Sequence, residues 1–292
     1  MGVLSDPAIV AHSKKNLLDL GRDVPSAGWP TVVSAGFVSP LYTARLSEWQ
    51  DRPEPRANDR CLVVFRDPRD IIVSLVMSLA NSHVPNEITS LLRLPLRHAS
   101  KSDRLRIGVH YFLNWAFQFR TWVDHPAGLD ELRLDYSELI ADKQEQFRRV
   151  FAFLNWQIPD EVVSEVVARH SFVATSGGRR PGDENEFSHR RKGISGDWRN
   201  HFTRETGELL EEACPGLLRA AGYVETDTWW KALAQETPAE ETANDVGIGR
   251  LLAVLEEQGT QLGLARQAAE QRARDVNELH GLNESLPAEA ET

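Results

Sequence analysis

Between residues 60 and 80 the chain permits few folds. Cys61-Leu62-Val63-Val64-Phe65 is a continuous apolar run of strand length. A strand apolar at every position is buried on both faces, as in a parallel sheet. It runs straight into Arg66-Asp67-Pro68-Arg69-Asp70 and then into a helical stretch over 71–79. Asp67 reads as the N-cap, Pro68 suits the first helical position, and Asp70 reads as the acid of a capping box. A buried strand feeding a capped helix is the building unit of α/β folds.

The rest of the chain extends that unit. Residues 31–38 (TVVSAGFV) read as a strand and 8–11 as a shorter one, with a Gly- and Pro-broken loop between them and a polar connection at 51–59. Residues 104–123 carry six aromatics on a helix-length segment, which reads as core packing. Residues 132–134 read as another short strand, helices follow at 143–154 and 159–170, and 175–190 is a long loop. The expected architecture is α/β, a mainly parallel sheet flanked by helices, over residues 1–235. Beyond it come an acidic linker at 236–247, an amphipathic helix or short coiled coil at 248–284, and a disordered tail at 285–292. Eight of eleven seam positions from Ile248 to Asn283 are apolar, against which Gly259 and Gly263 each cost about 1 kcal/mol relative to alanine. Self-association through 248–284 and packing of a lone helix on its own domain both fit that pattern.

Charge narrows the partners. The chain has 33 Lys and Arg against 43 Asp and Glu, a net −10. Residues 236–292 hold 12 acids and 4 arginines, a net −8, so residues 1–235 carry only −2. That balance excludes a basic coat for nucleic acid and leaves room for a local anion site. Cys61 and Cys214 make neither a disulfide framework nor a CxxC pair. The longest apolar stretch, 71–80, holds two serines and is too short to span a bilayer. The first fifteen residues lack a signal-peptide layout. A cytoplasmic location, with no membrane contact, is the expectation.

Two segments suit an anion. The strand delivers Arg66 to a helix N-terminus, where unpaired N–H groups and about half a positive charge meet a planar fork of donors. Ser74 follows one turn after Asp70. Pairing of Arg66 with a carboxylate is the plain alternative. The second segment is Arg190-Arg191-Lys192-Gly193, followed by ISGDWRNHFT. Gly193 and Gly196 free the backbone to wrap a ligand, and three adjacent cations give a strong local field. A solvated basic loop is the alternative here.

FRDPRDIIVS (65–74), RLDYSEL (133–139), RHSF (169–172) and RRKGISGDWRNHFT (190–203) occur in the order and spacing found in sulfotransferases, and the chain resembles that family over roughly residues 31–204. The resemblance implies a P-loop-NTPase-like α/β fold and use of 3′-phosphoadenosine 5′-phosphosulfate (PAPS) as sulfuryl donor, with 3′,5′-bisphosphoadenosine as product and no metal. By resemblance Arg66 and Ser74 hold the donor's 3′-phosphate, and Arg191, Lys192 and Gly193 close over it. Phe172 lies against the adenine and Tyr136 near it. The acceptor would be a hydroxyl or amine on a small molecule or glycan, with its pocket shaped by variable loops at 81–103 and 175–188. No GxxxxGK[ST] string occurs, which disfavours a P-loop NTPase or nucleoside kinase.

The family's opening P-[KR]-x-G-[ST]-[ST] loop, which cradles the 5′-phosphosulfate, is not recognisable, and no histidine stands in 33–37 as a base. The catalytic residues are therefore unassigned. Three readings stand: an N-terminally incomplete enzyme; a divergent enzyme using Lys14, His12 or His83; or a degenerate module that binds nucleotide or a protein partner without efficient catalysis.

Overall fold

The computed structural model describes residues 60–83, 87–128 and 130–235, together with the single position 46. The strands expected at 8–11 and 31–38, the candidates His12 and Lys14, and the whole of 236–292 lie outside the described residues.

Strand β1 (Cys61–Phe65) pairs in parallel with β2 (Glu131–Asp135), register Cys61 with Glu131 through Phe65 with Asp135. Each strand runs directly into a helix, β1 into α1 (Pro68–Met77) and β2 into α4 (Tyr136–Ala141). Both helices are capped by an aspartate that ends the strand turn: Asp67 accepts from the Arg69 N–H at 2.9 Å and Asp135 from the Ser137 N–H at 2.7 Å. Pro68 occupies the start of α1 as expected. Burial on both faces of β1 is not what the structure has. Leu62 and Val64 are 39% and 51% exposed. An apolar run reports the preference of its side chains, and the neighbours decide which face is covered. Among the described residues the sheet has two strands.

The core is helical. α1 buries Ile72, Val73 and Val76, at one-turn spacing, against Leu105, Val109, Phe112 and Ala116 of α3 (Lys101–Asp124). The approach is close: a Cβ on Gly108 would stand 2.5 Å from Val76 Cγ1. Of the six aromatics on α3, Phe112 and Trp122 are buried, Trp115 and Phe119 pack on the same cluster, and Phe117 is exposed. Leu210 of α8 (Arg204–Ala213), Leu217 and Leu218 of α9 (Leu217–Ala220), Trp198 and Phe202 close the cluster.

Part of the segment expected to be a variable loop at 81–103 is instead helix α2 (Glu87–His98), which contains Pro95. An interior proline costs about 3 kcal/mol. Leu92 and Leu96 are buried against Leu79, Ala80 and Ile107, and two such side chains contribute about 1.5–3 kcal/mol each. Burial wins. A π-turn at Ser78–Ser82 joins α1 to this region. Helices α5 (Lys143–Phe153) and α6 (Asp160–Arg169) fall within a residue of expectation, a four-residue helix α7 (Phe172–Thr175) follows, and 177–196 is loop and turn.

Candidate functional site

The parallel register builds the first half of the site. Phe65 and Asp135 are partners, so the next residues, Arg66 and Tyr136, emerge side by side beyond the carboxyl ends of the strands. That edge is where open α/β sheets bind ligands. The Arg66 guanidinium lies 4.8 Å from the centre of the Tyr136 ring. Its Nε is buried without a hydrogen-bond partner. Among the described residues no carboxylate pairs with Arg66, which removes the plain ion-pair reading. A buried guanidinium edge left unpaired costs about 1–3 kcal/mol, and an anion would relieve that cost.

Arg69, three residues on, is the opposite case. Its Nε and Nη2 grip Asp67 at 2.9 and 2.7 Å, and its Cζ lies 3.7 Å from the centre of the Trp198 ring and 4.8 Å from that of Trp229. It is buried, paired and structural.

Asp70 does not close a capping box. Its carboxylate crosses to the second basic segment and accepts from Ser195 Oγ at 3.1 Å, the Gly196 N–H at 2.6 Å and the Trp198 N–H at 3.0 Å. The side chain is 2% exposed. Three well-oriented donors from a turn outcompete the single local N–H that a capping box offers. This residue fixes the RKGISGDW loop to the helix that begins at the Arg66 turn, and Ser74 sits one turn along the same helix face.

Within that loop two of the three expected cations, Arg191 and Lys192, are already paired. Asp197, buried in a short 3₁₀ turn (Asp197–Asn200), takes Lys192 Nζ at 2.7 Å, Arg191 Nη2 at 2.5 Å, Asn200 Nδ2 at 2.9 Å and His201 Nε2 at 3.2 Å. Burial pushes the Asp197 carboxyl up, but hydrogen bonds from Lys192, Arg191 and Asn200 outweigh it and hold the group far below the usual carboxylate range. Glu184 reaches back to the same cations, bonding Arg191 Nη1 and standing 3.7 Å from Lys192 Nζ. Arg191 and Lys192 are only 12% and 19% exposed, so the solvated-loop reading fails as well. Burial pushes His201 down, and Lys101 and Arg191 add to this against the pull of Asp197.

Phe172 meets the loop at Gly193. That glycine has φ +68°, and a Cβ there would lie 2.4 Å from the Phe172 ring. Only glycine gives both the left-handed backbone and the contact. Arg179 covers the ring at 5.2 Å and ties the loop together, donating to the Arg191, Arg190 and Asp183 carbonyls. Sequence reasoning passed over Arg179, Glu184, Asp197 and the long reach of Asp70. Asp197 lies inside the quoted GDW string and could have been found there. The others carry no signal, because each acts through a partner that is separated from it along the sequence. His83 follows the π-turn and faces the His189 ring at 6.4 Å; burial, His189 and Arg93 hold it below the usual histidine range. Among the described residues no three His, Cys, Asp or Glu side chains gather as a metal site, and no helix is long and apolar enough to cross a membrane.

Residues 54–222 match the family model described as the sulfotransferase domain. Sulfotransferase 2B1 of Mus musculus is 27% identical over 194 residues, covering 55% of this chain and 53% of that protein. Its Homo sapiens counterpart is 28% identical over 218 residues, covering 66% and 56%. A crystal structure of mouse sulfotransferase SULT7A1 complexed with PAP aligns at TM-score 0.42 and 18% identity, covering 56% of this chain and 59% of that one. The chain spans about half the length of the curated relatives it matches. The matched stretch includes both strand ends, the Arg66 turn, Phe172 and the whole loop that Asp70 holds, and it is more than half of the chain: this protein belongs to the sulfotransferase domain family.

Proposed function

We infer that the chain binds PAPS and transfers its sulfuryl group to an acceptor hydroxyl or amine on a small molecule or glycan. In that reaction the acceptor oxygen or nitrogen forms a bond to sulfur as the bond from sulfur to the donor's 5′-phosphate oxygen breaks. The acceptor proton leaves, and 3′,5′-bisphosphoadenosine is released. The observation that carries the reading is Arg66, a guanidinium with a buried, partnerless Nε at the mouth of a parallel strand pair, beside the Tyr136 ring. Arg66 and Ser74 hold the 3′-phosphate, Arg191, Lys192 and the Gly193 backbone close over it, Phe172 carries the adenine, and Tyr136 stands near that base. A phosphate needs cations and N–H donors, and a purine needs an apolar face. Demanding a 3′-phosphate also discriminates PAPS from ATP, since a nucleotide lacking it leaves the arginine unpaired.

The test is a melting experiment with 3′,5′-bisphosphoadenosine. The ligand raises the melting temperature of the full chain, and Arg66→Ala or Lys192→Ala removes the rise. No rise at millimolar ligand overturns donor binding and activity together. A second reading, a module that binds the nucleotide without efficient transfer, is favoured by the neutralised state of Arg191 and Lys192. Transfer of labelled sulfate from PAPS to a phenol, sterol and amine panel separates the two: binding without transfer supports the second.

A further inference from the structure

Arg191 has two donor edges. Nη2 is committed to Asp197, a carboxylate that also serves Lys192, Asn200 and His201 and is nearly inaccessible. Nη1 is committed to Glu184, whose side chain is 34% exposed and whose second oxygen faces Lys192. The two carboxylates cancel the two cations, but they do so differently. Asp197 lies under the loop, whereas Glu184 covers it from the accessible side.

Glu184 is not a chance surface neighbour. The Gly182 N–H donates to the Lys192 carbonyl at 2.8 Å and the Asn185 N–H to the Arg191 carbonyl at 2.9 Å. These two backbone bonds bracket residue 184 and set its side chain in register with both cations. Arg179 reinforces the bracket by donating to the Asp183 and Arg191 carbonyls at 3.0 and 2.8 Å. A surface ion pair held by its own long side chains contributes little; here the backbone has already fixed the approach, so the pairing forms at small entropic cost.

We propose that Glu184 is a built-in counter-anion, occupying the face of Arg191 and Lys192 that an incoming phosphate must take, and that its displacement sets the affinity of the donor site. The proposal rests on the donor-binding reading above. A carboxylate carries one charge and a terminal phosphate up to two, so the phosphate wins the exchange while a singly charged anion does not. The carboxylate then swings to solvent with its backbone bracket intact. In the absence of donor the charges of Arg191 and Lys192 are balanced, and that face attracts adventitious anions weakly.

The experiment is calorimetric titration of the full chain and its Glu184→Gln variant with 3′,5′-bisphosphoadenosine and, separately, with inorganic pyrophosphate. Glu184→Gln binds both ligands about tenfold more tightly, since an amide presents no charge to displace. Glu184→Asp, which keeps the charge but withdraws it by one methylene, gains a smaller factor, and it carries the comparison should the glutamine variant lose its melting transition. Equal or weaker binding of the bisphosphate by Glu184→Gln, with the parent chain binding well, overturns the counter-anion and leaves the donor reading standing. If neither protein binds the bisphosphate but the variant binds pyrophosphate more tightly, the counter-anion stands and the donor reading falls. Indifference of both proteins to both ligands overturns both.

Discussion

The two cationic halves of the site are built on opposite electrostatic plans. Arg66 stands at a strand end with an aromatic ring on one side, a buried partnerless Nε, and no carboxylate among the described residues. Arg191 and Lys192 stand in a loop where Asp197 and Glu184 already balance them. A rigid element can carry an unpaired cation because its backbone is fixed by the sheet register and the helix cap. In the loop, the adjacent Arg191 and Lys192 would repel one another if both were left unpaired. The loop therefore brings its own anions, and Asp70 supplies the anchor that joins it to the rigid half.

The largest test of this contrast is Arg66→Ala against Lys192→Ala. Removing Arg66 weakens 3′,5′-bisphosphoadenosine about a hundredfold, since truncating one partner of a buried charged pair costs about 2–5 kcal/mol. It leaves the melting temperature of the free protein nearly unchanged, because the lost cation–π contact and the relieved unpaired Nε are similar in size and opposite in sign. Lys192→Ala lowers the free protein's melting temperature by leaving Asp197 short of a donor. Equal melting losses in the two variants would erase the contrast.

Asp70→Asn comes next. The amide offers one acceptor oxygen to three donors and turns an N–H₂ toward one of them, so denaturant unfolding should show a loss of about 2–3 kcal/mol. Proteolysis of the variant should begin in 190–198, the segment its carboxylate holds. Gly193→Ala follows, at about 2 kcal/mol for the left-handed backbone and the encounter with Phe172. Bisphosphate titration should weaken in parallel, and a wild-type affinity would show that the loop need not seat on Phe172.

Acid gives the smallest and most graded effect. His201 has a folded pKa below its ordinary value, so its contribution is full above about pH 6.5 and is lost as pH falls through the depressed value. Asp197 is depressed too; its contribution is full above the ordinary carboxylate range and is lost only well below that range. Both signs agree. The melting temperature should fall with acid in two stages, and His201→Gln should shrink the upper one to what His83 contributes. A single stage in the parent chain would show that His201 is not linked to the loop.

The site was unevenly legible before the structure. Arg66 could be placed because strand, cap and proline are consecutive, and the local chain dictates where such a residue emerges. Tyr136 beside it needed the register of β1 against β2, which local patterning does not specify. Asp70 was misassigned because position alone favours a capping box, while the stronger donors lie some 125 residues away. Helix α2 falls in a segment that the resemblance gave to a variable loop; Pro95 is a local signal against helix, and the burial of Leu92 and Leu96 is not local at all.

From sequence came the residue types and part of the element order: a strand feeding a capped helix, a basic glycine-bearing loop, and a family resemblance carried by short contiguous strings. Those depend on chain neighbours and helical or strand period, which are written linearly. Tertiary structure alone decided which charges are free. Whether an arginine is left unpaired like Arg66, riveted like Arg69 or balanced like Arg191 depends on carboxylates and rings brought from elsewhere in the chain. Coulombic and desolvation energies follow distance and burial in space, and neither follows order along the backbone.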